Sequence, residues 1–326
     1  MLKIALFCDT SETVSGIVRY CNLLKKLLET YGDYKVFIFS NLPYKKVAKC
    51  VNLYDRDAIK KALLSEDFDV IHINGFISTI PYFVYTTICS LKLKTPIIYT
   101  PHAHPFYTLN HPFRNRFFFH LFVKIILKKA NSVVSINKKD YQFFCKYNKN
   151  VITIPHWSTR DIPYSKKDDV KTPKLLFVGR NDANKNLKAL YSIPKDKYKI
   201  TCVTNIKPKR DDFDFVSGLT DDELIELYSK SSLTVIPSRY EAFSYAAMES
   251  LLAGTPILVS DRVRIVDFLE GIDGVTQYKY EDENDLNNKL EKAIKQNVEI
   301  DKVRNIFSAE KAFEKYNSLY IHILGK

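Results

Sequence analysis

Apolar and polar positions follow two rhythms along this 326-residue chain. Short apolar runs alternate with longer stretches in which apolar residues recur every three or four positions. In the first half the runs Leu2–Cys8, Lys35–Ser40, Val70–Ile73, Ile97–Thr100, Ser132–Ile136 and Val151–Pro155 predict strands. Between the first two, Ile17, Tyr20, Cys21, Leu24, Leu27 and Leu28 keep helical spacing and predict a helix over Ile17–Leu28. The second half repeats the rhythm with Lys174–Val178, Tyr198–Thr204, Phe213–Val216, Leu233–Ile236 and Ile257–Val259. Thr220 with Glu223 three residues on is a capping box that starts a helix before the fourth of these runs, and further helices are predicted at Glu283–Lys295 and Ser308–Leu324. Such alternation builds parallel sheets covered by helices on both faces, whose ligands bind at the carboxyl ends of the strands.

The stretch that organises the chain is 233–261, LTVIPSRYEAFSYAAMESLLAGTPILVSD. An apolar run leads through a polar turn into a helix from about Phe243 to Ala253. Gly254 stands where a helix C′ glycine belongs, Pro256 follows, and Ile257–Val259 closes the βαβ unit. The first amides of a helix have no intrahelical acceptor and carry positive dipole character, so the turn suits an anion. Glu241 lies in that turn and Glu249 about two turns into the helix. A carboxylate at Glu249 can accept hydrogen bonds from a pair of ribose hydroxyls.

Other strand ends are chemically loaded. Gly179-Arg180 follows Lys174–Val178, and Lys185 comes five residues later. Two cations beyond a strand end suit a diphosphate, Arg by bidentate bonding and Lys as a compact charge. In the first half, the turn with Ser15 and Gly16 opens a helix, His72 and Asn74 end one strand, and His102 and His104 follow another. Each lone histidine also reads as a satisfied structural residue.

Glu241 and Glu249, with seven residues between them within strand–turn–helix–Gly-x-Pro–strand, resemble the signature of retaining GT-B glycosyltransferases, especially glycosyltransferase family 4. Gly179-Arg180 with Lys185 is similar to the same family's strand–GR–x4–K element. The resemblance runs in order along nearly the whole chain. It implies an α/β protein of two Rossmann-like domains with parallel sheets facing across a cleft. Residues 1–156 with a returning C-terminal helix, 305–326, would bind the acceptor, and 157–304 the nucleotide sugar. Glu241, Arg180, Lys185 and His102 would be catalytic. Gly16, Gly179, Arg180, Lys185, Ala242, Phe243, Ser244, Tyr245 and Glu249 would line the donor, with His72, Asn74 and His104 on the acceptor side. The donor is a nucleotide-diphosphate sugar acting as co-substrate, and the scheme requires no cofactor or metal. The implied reaction moves its sugar to a glycan or lipid-linked acceptor in polysaccharide or lipopolysaccharide synthesis. Departures from the family pattern fall at Ser15-Gly16 for Gly-Gly, at Pro155-His156-Trp157 for Pro-Asn-Gly, and at Ala242 and Ser244 for two glycines. Ala242 is expected to restrict the backbone, and Ser244 to put a hydroxyl beside the phosphates. The single Trp157 would line the cleft or fill the interface at a linker beginning near His156.

Charge adds one feature. Residues 1–150 hold 22 Lys and Arg against 10 Asp and Glu, whereas 151–326 hold 27 of each. A basic half suits an anionic membrane surface or nucleic acid. Residues 111–130, HPFRNRFFFHLFVKIILKKA, place Phe117, Phe118, Leu121, Phe122, Ile125 and Ile126 at helical spacing among Arg114, Arg116, Lys124, Lys128 and Lys129. This is an interfacial helix or a core helix with a solvated basic side. No nucleic-acid motif accompanies it, so nucleic acid is not expected as a partner. No apolar run reaches membrane-spanning length, and MLKIALFCDT reads as a strand, so a cytoplasmic protein, peripheral at the inner membrane face, is expected. Six scattered cysteines read as reduced, buried thiols. A nucleotide-sugar epimerase of the same architecture and a non-catalytic nucleotide-sugar-binding or membrane-docking partner remain as alternatives.

Overall fold

The computed structural model describes residues 1–9, 16–41, 48–75, 79–104, 106, 116–117, 119–160, 162 and 172–325. The chain divides into two compact units, Met1–Trp157 with Ala309–Lys326, and Ser158–Ser308. The first holds strands β1 (Leu2–Cys8), β2 (Tyr34–Ser40), β3 (Ala48–Cys50), β4 (Val70–Asn74), β5 (Ile97–Thr100), β6 (Ser132–Ser135) and β7 (Val151–Thr153). Their order is β3-β2-β1-β4-β5-β6-β7 and the pairings are parallel, with Ile4 opposite Val70 and Ile71 opposite Ile97. β4 and β5 are buried at every position, which is why they read as unbroken apolar runs.

On one face α1 (Gly16–Tyr31) inserts Val18, Tyr20, Cys21, Leu24, Leu27 and Leu28. Beside it lies the last helix, α10 (Ala309–Ile323), whose Tyr316 hydroxyl meets that of Tyr20 at 2.6 Å. The other face is covered by α2 (Arg56–Leu63), α3 (Ile80–Ser90) and the segment Phe119–Lys129, a π turn over Phe119–Val123 followed by α4 (Lys124–Lys129).

The second unit holds β8 (Lys174–Val178), β9 (Lys199–Val203), β10 (Phe213–Val216), β11 (Leu233–Ile236), β12 (Ile257–Ser260) and β13 (Val275–Tyr278), in the parallel order β10-β9-β8-β11-β12-β13. Successive connections leave β1 in the first sheet and β8 in the second toward opposite edges. The β1/β4 and β8/β11 junctions are therefore topological switch points, where the loops at the carboxyl ends part and leave a crevice.

Three sequence expectations change. The edge strands β3 and β13 escape the apolar-run criterion because one has three residues and the other, Val-Thr-Gln-Tyr, has exposed Gln277. His156 and Trp157 are not linker: both are buried in the first unit, where the indole packs between Tyr20 and Tyr316 at 5.9 and 5.7 Å. Among the cysteines, all free, Cys50, Cys89 and Cys145 are exposed rather than buried.

His72 is also a core residue. It is 0% exposed, with Nδ1 3.0 Å from the Tyr320 hydroxyl of α10 and Nε2 2.7 Å from Thr100 Oγ1. Burial, then the neighbouring His102, holds its pKa down to about 3. The folded imidazole thus stays neutral where the unfolded one, with an ordinary pKa of about 6.5, takes up a proton. Its contribution is complete above that value and is lost as pH falls toward 3. Unfolding free energy is expected to drop between pH 6.5 and 5.5 with a slope approaching about 1.4 kcal/mol per pH unit from this residue. Urea titrations at several pH values measure it, and a flat profile would contradict the burial of neutral His72.

A second prediction concerns Gly75, just past β4. Its φ is +129°, and a Cβ there would lie 2.1 Å from the Asp9 Cβ. Gly75→Ala combines a forbidden backbone region with a backbone-adjacent clash, and should destabilise the fold by about 2–3 kcal/mol, read as a lower urea midpoint.

Candidate functional site

At the β8/β11 switch point the structure brings two loops together. The first runs from Gly179 to Asn186. Asp182 Oδ1 accepts from the backbone N–H groups of Asn184 (3.0 Å) and Lys185 (2.8 Å), an Asx turn that fixes the loop, while Asp182 Oδ2 lies 3.1 Å from Arg180 Nε. A Cβ on Gly179 would lie 3.3 Å from Lys185 Cδ, so the missing side chain lets the lysine stem lie close along the backbone. Asn186 closes the loop at φ +51°, a conformation asparagine tolerates.

The second loop is the turn after β11. Asn184 and Asn186 stitch it to the first: Asn184 Nδ2 donates to Tyr240 O at 3.0 Å, Arg239 N to Asn184 O at 2.7 Å, and Asn186 Nδ2 to Pro237 O at 3.2 Å. The result is that Lys185 Nζ donates to Glu241 Oε1 at 2.9 Å, and the Ser238 hydroxyl donates to the same oxygen. The Glu241 backbone bridges to Val263, with Arg264 N donating to Glu241 O at 2.9 Å. Glu241 is 8% exposed; its lysine is about one-quarter exposed, at 25%. Glu241 is therefore held at its backbone and at one carboxylate oxygen.

Helix α7 (Tyr245–Leu252) follows. Ser244 is its N-cap, its Oγ accepting from Ala247 N at 3.4 Å. The helix ends in a Schellman motif: Thr255 N donates to Ser250 O, Gly254 N to Leu251 O, and Gly254 stands at φ +77°. Its first turn begins four residues after Glu241 and has amides with no intrahelical acceptor, of which Ala247 N is taken by the Ser244 cap. Glu249 is buried within the helix. Phe243 packs edge-on against Tyr245 and Phe307. Two of the expected departures carry no strain. Ala242 is not among the positive-φ residues, so alanine costs nothing there, and Ser244 is occupied as a cap.

In the first unit the candidates separate. His72, enclosed and bonded at both nitrogens, faces α10 and is corrected from an acceptor contact to a structural residue. Asn74 is buried at the end of β4, and His102 Nε2 donates to its Oδ1 at 3.1 Å. His102 is half-buried, at φ +63°, with its ring 4.4 Å from that of Tyr20; burial holds its pKa down to about 3. A non-glycine residue in the left-handed region stores strain of about 1–3 kcal/mol, and such residues cluster at functional sites. His104 is 5% exposed, accepts from Phe106 N at Nδ1 (3.2 Å) and packs 4.8 Å from Phe143; burial, then Lys139 and Lys146, holds its pKa to about 4. His104 is thus packed among the rings of Phe106 and Phe143 past β5. Gly16 opens α1 in the clear, since a Cβ added there would meet nothing within 4 Å; Ser15 lies outside the described residues.

Sequence reasoning passed over Asp9, Asp182, Asn184 and Ser238. Asp9, 6% exposed at the end of β1, donates its N–H to Asn74 O at 2.8 Å, placing a carboxylate at the other switch point. The Asp182-x-Asn184 pattern behind a strand is the one local signal that marks the stitched loop. Among the described residues, no group of three or more His, Cys, Asp or Glu is placed to hold a metal ion, and no helix is long and apolar enough to cross a membrane.

Comparison with known proteins bears on the fold and the family. Residues 23–157 match the family profile of Glycosyltransferase Family 4, and residues 194–312 that of Glycosyl transferases group 1. The chain is 24% identical over 307 residues to the uncharacterized glycosyltransferase MJ1178 of Methanocaldococcus jannaschii, covering 85% of this chain and 84% of that protein. Its fold is similar to that of sucrose-phosphate synthase from Thermosynechococcus elongatus, with a TM-score of 0.80 at 17% identity over 100% of both chains. It is also similar to Anabaena HepE in complex with UDP and glucose, with a TM-score of 0.75 at 12% identity over 98% of this chain and 99% of that one. The two family profiles between them take in most of both units, and with the two parallel sheets they show that the chain is a GT-B glycosyltransferase of the family 4 type.

Proposed function

We propose that the protein transfers a sugar, with retention of anomeric configuration, from a nucleotide-diphosphate sugar to a glycan or lipid-linked acceptor in cell-surface polysaccharide or lipopolysaccharide synthesis. The observation that carries the donor half is the contact of Lys185 with Glu241 beside the first turn of α7. A diphosphate there would meet Lys185, Arg180 and helix amides as negative charge develops on it. Preorganised donors of this kind lower a barrier by about 3 kcal/mol each. Glu249 would take the ribose hydroxyls. HepE, of similar fold, binds UDP and glucose, which supports a nucleotide diphosphate as the leaving group.

Glu241 is poorly suited to attack an anomeric carbon or to abstract a proton. Lys185 and Ser238 both donate to its Oε1, so that oxygen is already engaged by two donors. It would instead hold sugar hydroxyls. In the proposed step the bond from C1 to the phosphate oxygen breaks, the acceptor oxygen bonds to C1 on the same face, and the acceptor proton passes to the departing phosphate oxygen. His102, beside Asn74 and Tyr20, would serve the transfer step as its catalytic histidine. The scheme invokes no metal. The acid-poor first half suits an acceptor held at an anionic membrane surface.

Glu241→Ala should lower kcat by about 100-fold or more while a nucleoside diphosphate still stabilises the fold. Lys185→Gln should weaken both kcat and diphosphate binding. Thermal-shift screening against nucleotide sugars, followed by turnover with the one that binds and NMR of the product anomer, measures all three. Wild-type turnover in Glu241→Ala, or an inverted product, would contradict the proposal.

A further inference from the structure

The segment 116–129 presents a different face from the one its sequence suggests. Phe119, Val123, Ile126 and Leu127 are buried against the sheet. Phe117, Leu121 and Ile125 are turned outward, at 60%, 43% and 37% exposure. These three stand four residues apart. So do Arg116, His120, Lys124 and Lys128, one position earlier, and all but Lys124, which is half-buried, are exposed. The outward surface therefore carries an apolar row and a basic row side by side, and Lys129 extends the apolar row with a further exposed cation.

Charge along this stretch of the chain is nearly all of one sign. From Val70 to Trp157 the sequence has eleven Lys and Arg and a single acid, Asp140. That acid is 1% exposed and accepts from Asn137 Nδ2 at 2.8 Å inside a helix cap, so it lies in the interior of the first unit rather than at its surface. Lys128, Lys129, Lys146 and Lys149 are exposed on this stretch, which offers no surface carboxylate of its own to offset them. An exposed apolar row flanked by cations, on a stretch without surface anions, is complementary to one solvent boundary: acyl chains beneath negatively charged headgroups. Long Lys and Arg stems can lie along the apolar row and keep their charges at headgroup level.

We propose that the outward face of residues 116–117 and 119–129 docks on a bilayer containing anionic lipid, with Phe117, Leu121 and Ile125 entering the interface and Arg116, Lys124, Lys128 and Lys129 at the headgroups. This deepens the lipid-linked acceptor reading by naming the surface on which the first unit meets it. Vesicle binding needs neither donor nor transfer, so failure here and failure of the transfer scheme are distinguishable.

The test uses the full chain and vesicles of phosphatidylcholine with or without phosphatidylglycerol, in a flotation assay at low and high salt. Flotation is expected only with the anionic vesicles, weakening as salt rises. Replacing Lys124 and Lys128 by Gln should reduce partitioning about fivefold per charge. Leu121→Ser with Ile125→Ser should abolish it, with the thermal midpoint unchanged because both residues are exposed. Equal partition into neutral vesicles, or wild-type flotation of the Leu121/Ile125 variant, would overturn the proposal. So would a single-stranded oligonucleotide binding as tightly as the anionic vesicles and insensitive to the same serine changes, which marks a general polyanion surface. Self-association in solution that the serine changes remove would instead assign the face to a second copy.

Discussion

One ion pair holds the second unit's chemistry in place. Lys185 and Glu241 are 56 positions apart in the chain and meet at 2.9 Å. Neither would point there unaided. A lysine stem is flexible, and a nearly buried carboxylate is costly unless paired. Here the Asx turn at Asp182 sets the lysine's backbone, and three further hydrogen bonds tie its loop to the turn carrying Glu241. The pair gains from this preorganisation, and the carboxylate is left as a fixed feature rather than a mobile base.

The sheet makes the meeting possible. β8 and β11 are neighbours, and the chain leaves them toward opposite edges, so their carboxyl-terminal loops flank one crevice. The same topology in the first unit places Asp9 beside Asn74 and His102 past the adjacent strand end. In each unit the apolar strands, buried on both faces, fix where the polar loops emerge. Function is confined to positions that packing leaves open.

What could be read from the sequence was what local rules decide. β8 and β11, the Thr220 capping box, and the Gly254 terminator of α7 follow from short-range chemistry, and the structure has them within a residue or two of expectation. The Lys185–Glu241 contact is long-range, and only the family resemblance put the two residues in one site. His72 read as an acceptor contact only through the family resemblance; Tyr320, nearly at the other end of the chain, encloses it. The apolar spacing takes the face of 116–129 half a turn too wide: Phe117 and Ile126, nine residues apart, fall on opposite sides of a helix, and the buried side carries Phe119, Val123, Ile126 and Leu127.

The central claim is that a diphosphate belongs at the stitched loops of the second unit. A crystal structure of the protein soaked with whichever of UDP, GDP or ADP stabilises it best tests this directly. The account predicts diphosphate density within hydrogen-bonding distance of Lys185 Nζ and of the backbone amides opening α7. Density for the diphosphate at any place remote from both would contradict it.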